Sequence, residues 1–187
     1  CVGWDGSAGS STAMRSRGAR IVLDGVSSCR GSAFAFIGAY SAGADLTLRD
    51  SSSWAQNAGM YWLQESNSSA MTVERVVGMA GGLASGGKKG RGLTVRVSDV
   101  ARWSGRAMKT PLADAVASSM VVERAVGVSG GAFSLPGLLC HSCTFAFRDC
   151  QGWSGKAGRQ LLQQSVGSTA VIERAHDVSS HAFSFMG

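Results

Sequence analysis

Short alternating apolar segments recur along the chain at a nearly constant interval. They read IVL, LTL, MTV, VRV, MVV, FAF and AVI, and are centred on pairs that end at Leu23, Leu48, Val73, Val97, Val122, Phe147 and Ile172. The steps between those last residues are 25, 25, 24, 25, 25 and 25. Period-two alternation with β-branched and aromatic side chains predicts strands. Two further apolar columns keep the same interval. Six residues on come Cys29, Trp54, Met79, Trp103, Val128, Trp153 and Val178, with Trp4 one step earlier. Eleven residues on come Phe34, Gly59, Ala84, Met108, Phe133, Gly158 and Phe183. Large and small side chains alternate in the tryptophan column, so two unlike units of about 25 residues make a 50-residue phrase.

No unit of this length can bury its apolar residues alone, but a stack of them can. The chain is therefore expected to be all-β: a right-handed parallel β-helix solenoid of about seven coils. Three inward columns suggest a three-sided coil. Right-handed winding follows from the usual chirality of parallel connections. The whole chain reads as one repeat domain, with double-coil repeats at roughly 1–45, 46–92, 93–142 and 143–187. A leucine-rich or helical solenoid is the rival, but the 3.6-residue period and the LxxLxL signature are missing.

Charge follows the same register. The residue after each strand core reads Asp24, Arg49, Glu74, Ser98, Glu123, Arg148, Glu173. The next reads Gly25, Asp50, Arg75, Asp99, Arg124, Asp149, Arg174. Sign alternates from coil to coil in both, with Ser98 and Gly25 as gaps, which an in-register stack requires because like charges at strand spacing repel. The pattern reads as a neutralising ladder. Two-carboxylate glycosidase chemistry wants acids roughly 5–9.5 Å apart, and here arginines separate Asp50, Asp99 and Asp149.

Composition supports this architecture. The 187 residues include 26 glycines and only two prolines, which suits tight turns and close backbone packing. No apolar run reaches the ~18 residues of a membrane span. The chain starts at Cys1 without a signal sequence, and a fragment or processed piece of a larger protein is expected. Five cysteines cannot all pair within one chain.

Several stretches carry the letters of a site. Gly82 to Lys88 matches the start of a phosphate loop, but Lys89 replaces the Mg²⁺-binding hydroxyl and no helix pattern follows. It reads better as a surface loop bulging from one coil. Cys140, His141, Cys143 and Cys150 hold a C-x-x-C without a second knuckle, so buried small side chains or a local disulfide compete with zinc. His176, Asp177, Ser180 and His181 contain the residues of a triad without a nucleophile elbow. No catalytic residue, metal or cofactor is expected. Asn67-Ser68-Ser69 is the only N-x-S/T sequon and a candidate glycosylation site.

The net charge is +6. Arg106 and Lys156 occupy equivalent places in WSGRA and WSGKA, and Lys109 and Arg159 follow three residues on. With Lys88, Lys89 and Arg91 they form candidate basic columns for sulfated or sialylated glycans. Nothing resembles a nucleic-acid recognition helix or an aromatic RNA-binding strand. Exposed coil edges favour end-to-end self-association.

The units ADLTLRDSSSW, CTFAFRDCQGW and RIVLDGVSS resemble coils of the pectin-lyase-like parallel β-helix class. The small-residue texture and the phrase VVERAVGVSGGAF are similar to the dispersed gene family surface proteins of trypanosomes, regarded as adhesins. That resemblance covers the repeats from about Arg20 onward. It implies a cell-surface or secreted, non-enzymatic scaffold that meets acidic glycans or host proteins. A carbohydrate-active lyase or hydrolase fragment, or an inactive gene fragment, is the alternative.

Overall fold

The structure is a computed structural model that describes residues 12–29, 34, 37–55, 61–80, 86–105, 107, 108, 110–133, 136–155, 158–179 and 182–185. The described residues contain strands and turns and no helix. The strands are β1 (Arg20–Asp24), β2 (Asp45–Arg49), β3 (Ala70–Glu74), β4 (Thr94–Ser98), β5 (Ser119–Glu123), β6 (Thr144–Arg148), β7 (Gly158–Leu161), β8 (Thr169–Glu173) and β9 (Phe183–Phe185). Seven form one sheet in the order β1-β2-β3-β4-β5-β6-β8, and β7 pairs with β9 in a second. All pairings are parallel, and the long sheet is in register. Leu23 faces Leu48, and the same line runs through Val73, Val97, Val122 and Phe147 to Ile172. Single-residue bridges extend the stack on both sides of this sheet. One ladder runs from Arg17 to Val166 and the other from Ser27 to His176. The chain is thus a β-solenoid of stacked parallel strands, as the apolar period predicts.

Among the described residues, several columns of turn residues adopt the left-handed backbone conformation. One of them is Gly25, Asp50, Arg75, Asp99, Arg124, Asp149 and Arg174, with φ from 49° to 62°. The charge ladder therefore sits on a sharp corner. Left-handed backbone costs roughly 1–2 kcal/mol for a residue with a Cβ. The stack offsets it by using each corner amide. Asp50 N donates to Glu74 O at 3.2 Å, Arg75 N to Ser98 O at 3.1 Å, and Arg124 N to Arg148 O at 3.0 Å.

The interior joins the two predicted apolar columns. Trp54, Trp103 and Trp153 are fully buried. Phe34 stacks on Trp54 at 5.6 Å, and Phe133 lies between Trp103 at 5.6 Å and Trp153 at 5.4 Å. Such pairs contribute about 0.5–1.5 kcal/mol beyond area burial. Each indole N–H is used: Trp54 donates to Val26 O at 3.3 Å, Trp103 to Val76 O at 3.1 Å, and Trp153 to Ala125 O at 3.0 Å. Gly59, Ala84 and Trp4, also expected in these columns, lie outside the described residues.

Columns of buried small residues complete the interior. Ser41, Ser51, Ser66, Ser69 and Ser118 are buried. A serine in one coil accepts an amide from the coil before it: Val26 N to Ser51, Ser41 N to Ser66, Ala44 N to Ser69 and Leu93 N to Ser118, at 3.0–3.2 Å. Most of these hydroxyls then donate to a carbonyl two residues back in their own chain, as Ser51 does to Arg49 O and Ser118 to Val116 O. Burial of polar groups is tolerable only on such terms. No buried side-chain polar atom among the described residues lacks a partner. Ser69, Ser118 and Ser168 occupy alternate coils, as the tryptophans do, so the 50-residue phrase has a physical basis in both columns.

Of the loop expected to bulge, Gly82 to Ser85 lie outside the described residues, and the part that is described does not bulge. The bridge steps Val77 to Ala101 and Asn67 to Arg91 are 24 residues, one shorter than their neighbours. Gly86 to Gly92 stays inside the stack, with Gly87 N donating to Trp62 O at 2.8 Å and Lys89 N to Ala113 O at 2.7 Å. A Cβ at Gly90 would overlap Leu93 Cδ1 and lie 2.9 Å from Ser66 O. Glycine there lets the larger Leu93 into a column that holds small residues in most other coils.

Candidate functional site

Register places the two charged columns side by side at one corner, and in the second column each arginine pairs with the preceding coil. Arg75 grips Asp50 of the preceding coil at 2.6 and 2.8 Å, Arg124 grips Asp99 at 2.6 and 2.8 Å, and Arg174 grips Asp149 at 2.6 and 2.9 Å. Arg49 holds Asp24 at 2.7 Å. Arg148 lies between Glu123 at 3.5 Å and Glu173 at 2.9 Å, and Arg75 also reaches Glu74 at 3.1 Å. The two-point geometry is the favourable one for guanidinium and carboxylate. It holds the carboxyls of Asp50, Asp99 and Asp149 below their ordinary range, chiefly through the arginine hydrogen bonds, and raises Arg75, Arg124 and Arg174. All seven acids of the ladder are engaged by arginine.

Ser98 is the break in this alternation. It lies in register between Glu74 and Glu123. A shallow groove of about 270 Å³ opens beside it, lined by residues that include Thr72, Glu74, Arg96, Ser98, Glu123 and Arg124.

The candidate basic residues divide. Arg106, Lys109 and Lys156 lie outside the described residues, and Arg159 belongs to β7 without a described side chain. Lys88 is half-buried, while Lys89 and Arg91 are exposed, and none of the three is in an ion pair with a described residue. Arg96 and Arg102 are likewise exposed on the same turn of chain and in no ion pair with a described residue. The stretch KKGRGLTVRVSDVAR carries this concentration openly, but a comparison of sister repeats passes over it because the cations are not repeated.

Asn67 is exposed and bridges Ala42 and Arg91 in its ladder. Its sequon hydroxyl, on Ser69, is buried and donates to Asn67 O at 2.9 Å. The zinc letters do not converge. Cys140, Cys143 and Cys150 are buried, β6 separates Cys150 from the other two, and His141 is exposed. No group of three metal-ligating side chains occurs among the described residues. Gly82 to Ser85 of the phosphate-loop motif, and Ser180 and His181 of the triad letters, lie outside the described residues. Asp177 accepts a hydrogen bond from Gln151 at 3.3 Å, and His176 is exposed. No helix among the described residues is long and apolar enough to cross a membrane.

No protein-family model, curated protein or solved structure matches the chain. The β-solenoid expected from the resemblance is present; a family is not shown.

Proposed function

We propose that the chain is a non-enzymatic scaffold of the pectin-lyase-like kind, displayed at a surface or secreted, that binds acidic glycans or acidic stretches of host proteins. In this reading the solenoid is right-handed with about seven coils, in keeping with the chirality of parallel connections and with the seven strands of the long sheet. The observation that carries the functional reading is the asymmetry of charge. The ladder acids are neutralised by arginine, while Lys88, Lys89, Arg91, Arg96 and Arg102 gather on one turn of chain without an acidic partner among the described residues. Unpaired cations on a rigid, closely spaced backbone attract polyanions over a Debye length of about 8 Å at physiological salt. Arg106 and Lys156 share one position of the repeat and Lys109 and Arg159 another, and these two pairs are included in the proposal as further basic columns.

A glycan array with sulfated, sialylated and uronic-acid polymers tests this at low and physiological salt. Salt-sensitive binding is expected, weakened in Lys88/Lys89/Arg91→Ala and in Arg106/Lys109/Lys156/Arg159→Ala. Cleavage of any polymer would overturn the non-enzymatic reading. Binding that neither variant weakens would overturn the basic site.

A further inference from the structure

We propose that a linear sulfated glycan lies across the stack, along the coil that carries Arg91, Arg96 and Arg102, with a sulfate seated on Arg96. The inference rests on the reading of the chain as a binder of acidic ligands. Register sets these three arginines apart from the neighbouring lysines. Arg91 bridges Asn67 and Val116, and Arg96 pairs with Thr72 and Val121. Arg102 follows Ala101, which bridges Val77 and Val126, so Gly78 and Gly127 flank it. Each arginine is thus exposed between uncharged residues of the coils before and after. Lys89 differs: two places before the Arg91 bridge, the same register sets it between Glu65 and Asp114, which offset its charge. A polyanion is therefore drawn to the arginines more strongly than to Lys89.

The middle arginine stands in a groove. The column of Ser98 is charged in every other coil of the long sheet: Asp24, Arg49, Glu74, Glu123, Arg148 and Glu173. The short serine leaves open a space of about 270 Å³ whose walls include Thr72, Arg96, Ser98 and Val121. Glu74 and Glu123 rim the same space, and both are held by arginine. Arg75 reaches Glu74 at 3.1 Å, while Arg148 and Arg124 reach Glu123 at 3.5 and 3.8 Å. Asp99, at the corner after Ser98, is gripped by Arg124 at 2.6 Å. Arg96 is in no ion pair with a described residue, so it is the unmatched charge of the groove.

The chemistry of this band fits sulfate esters on a sugar chain. A sulfate ester stays ionised at physiological pH and offers three terminal oxygens. Two of them accept the parallel N–H groups of a guanidinium, which leaves the third for a hydroxyl of the groove. An acidic peptide fits less well. β4 already pairs with β3 on one side and β5 on the other, so a peptide finds no strand edge to extend at Arg96. Arg91 and Arg102 stand on either side of Arg96, five and six residues away along the chain. The path from Arg91 to Arg102 is at most about 36 Å at roughly 3.3 Å per residue, and left-handed corners at Gly92 and Asp99 shorten it. A polymer charged on successive sugars reaches all three arginines, whereas a single anion reaches one.

Fluorescence anisotropy of size-graded heparin oligosaccharides on the intact chain tests this, with desulfated heparin and poly-glutamate beside them. Sulfated chains are expected to bind, more tightly with length until the span from Arg91 to Arg102 is covered, and desulfated heparin should lose most of that binding. Arg91→Ala, Arg96→Ala and Arg102→Ala should each weaken it by about three- to tenfold at physiological salt, more than Lys89→Ala does. Arg17→Ala removes an exposed cation three coils away and should leave the affinity unchanged. All four arginines are exposed, so circular dichroism of the variants should match wild type. Phenylglyoxal modification read by mass spectrometry gives the orientation: bound heparin should protect Arg91, Arg96 and Arg102 and leave Arg17 reactive. Sulfated chains that bind wild type and the three variants alike would overturn this path and leave the broader reading standing. So would protection of Arg159, in a later coil, with Arg91 left reactive, because the glycan would then run along the stack. Tighter binding of poly-glutamate would overturn the glycan as ligand, and no binding of any polyanion at low salt would overturn both readings.

Discussion

Ser118→Ala isolates one rung of the buried serine ladder. Leu93 is 1% exposed, and its amide donates to Ser118 Oγ at 3.1 Å, its acceptor across coils. Removing the hydroxyl leaves that amide buried and unpaired, which costs about 1–3 kcal/mol. The other end of the rung is less exposed to loss, because Val116 O also accepts Gly92 N at 3.0 Å. The destabilisation should therefore track the orphaned Leu93 amide alone. Urea unfolding followed by circular dichroism reads the total, with an unchanged slope as the sign that the folded and unfolded states keep their surface areas. Hydrogen exchange supplies the local reading: the Leu93 amide should lose protection while Val97, deep in β4, loses only what the global change dictates. Ser118→Cys keeps a weak acceptor and should fall between wild type and alanine. A Ser118→Ala protein of wild-type stability with Leu93 still protected would refute the argument that serines hold the coils together.

Trp103→Ala removes a fully buried indole stacked on Phe133 and should cost about 3–5 kcal/mol; Trp103→Phe should cost less, since Val76 O still accepts Ala101 N at 3.1 Å, and equal losses on urea titration would contradict this. Gly90→Ala should cost about 1–3 kcal/mol by overpacking against Leu93, and Gly90→Ala with Leu93→Ser should recover part of it; no coupling in the double-mutant cycle would remove the size-exchange explanation. The carboxyls of Asp50, Asp99 and Asp149 are lower folded than unfolded, so their contribution is present above the unfolded value of about 4 and is lost as pH falls through the folded values. The urea midpoint should hold between about pH 7 and 5 and fall below about 4, less steeply in Asp50/Asp99/Asp149→Asn; a midpoint that does not fall in acid would contradict the ladder.

The sequence by itself determined the register of this protein. A strand lasts only five residues here, so one apolar pair per 25-residue unit marks it, and stacking in parallel forces like positions to meet. Charge alternation and the tryptophan period were legible for the same reason, since each reports on a neighbour one repeat away. What only the tertiary structure decided was local geometry. Aspartates and arginines at Asp50, Arg75, Asp99 and Arg124 give no sign in sequence of the left-handed corner they occupy, because the stack's hydrogen bonds impose it. Buried serines such as Ser66 and Ser118 read as polar surface until the facing amide of another coil appears. The grip of Arg75, Arg124 and Arg174 on the aspartate of the preceding coil depends on side-chain direction, which a one-dimensional repeat does not encode.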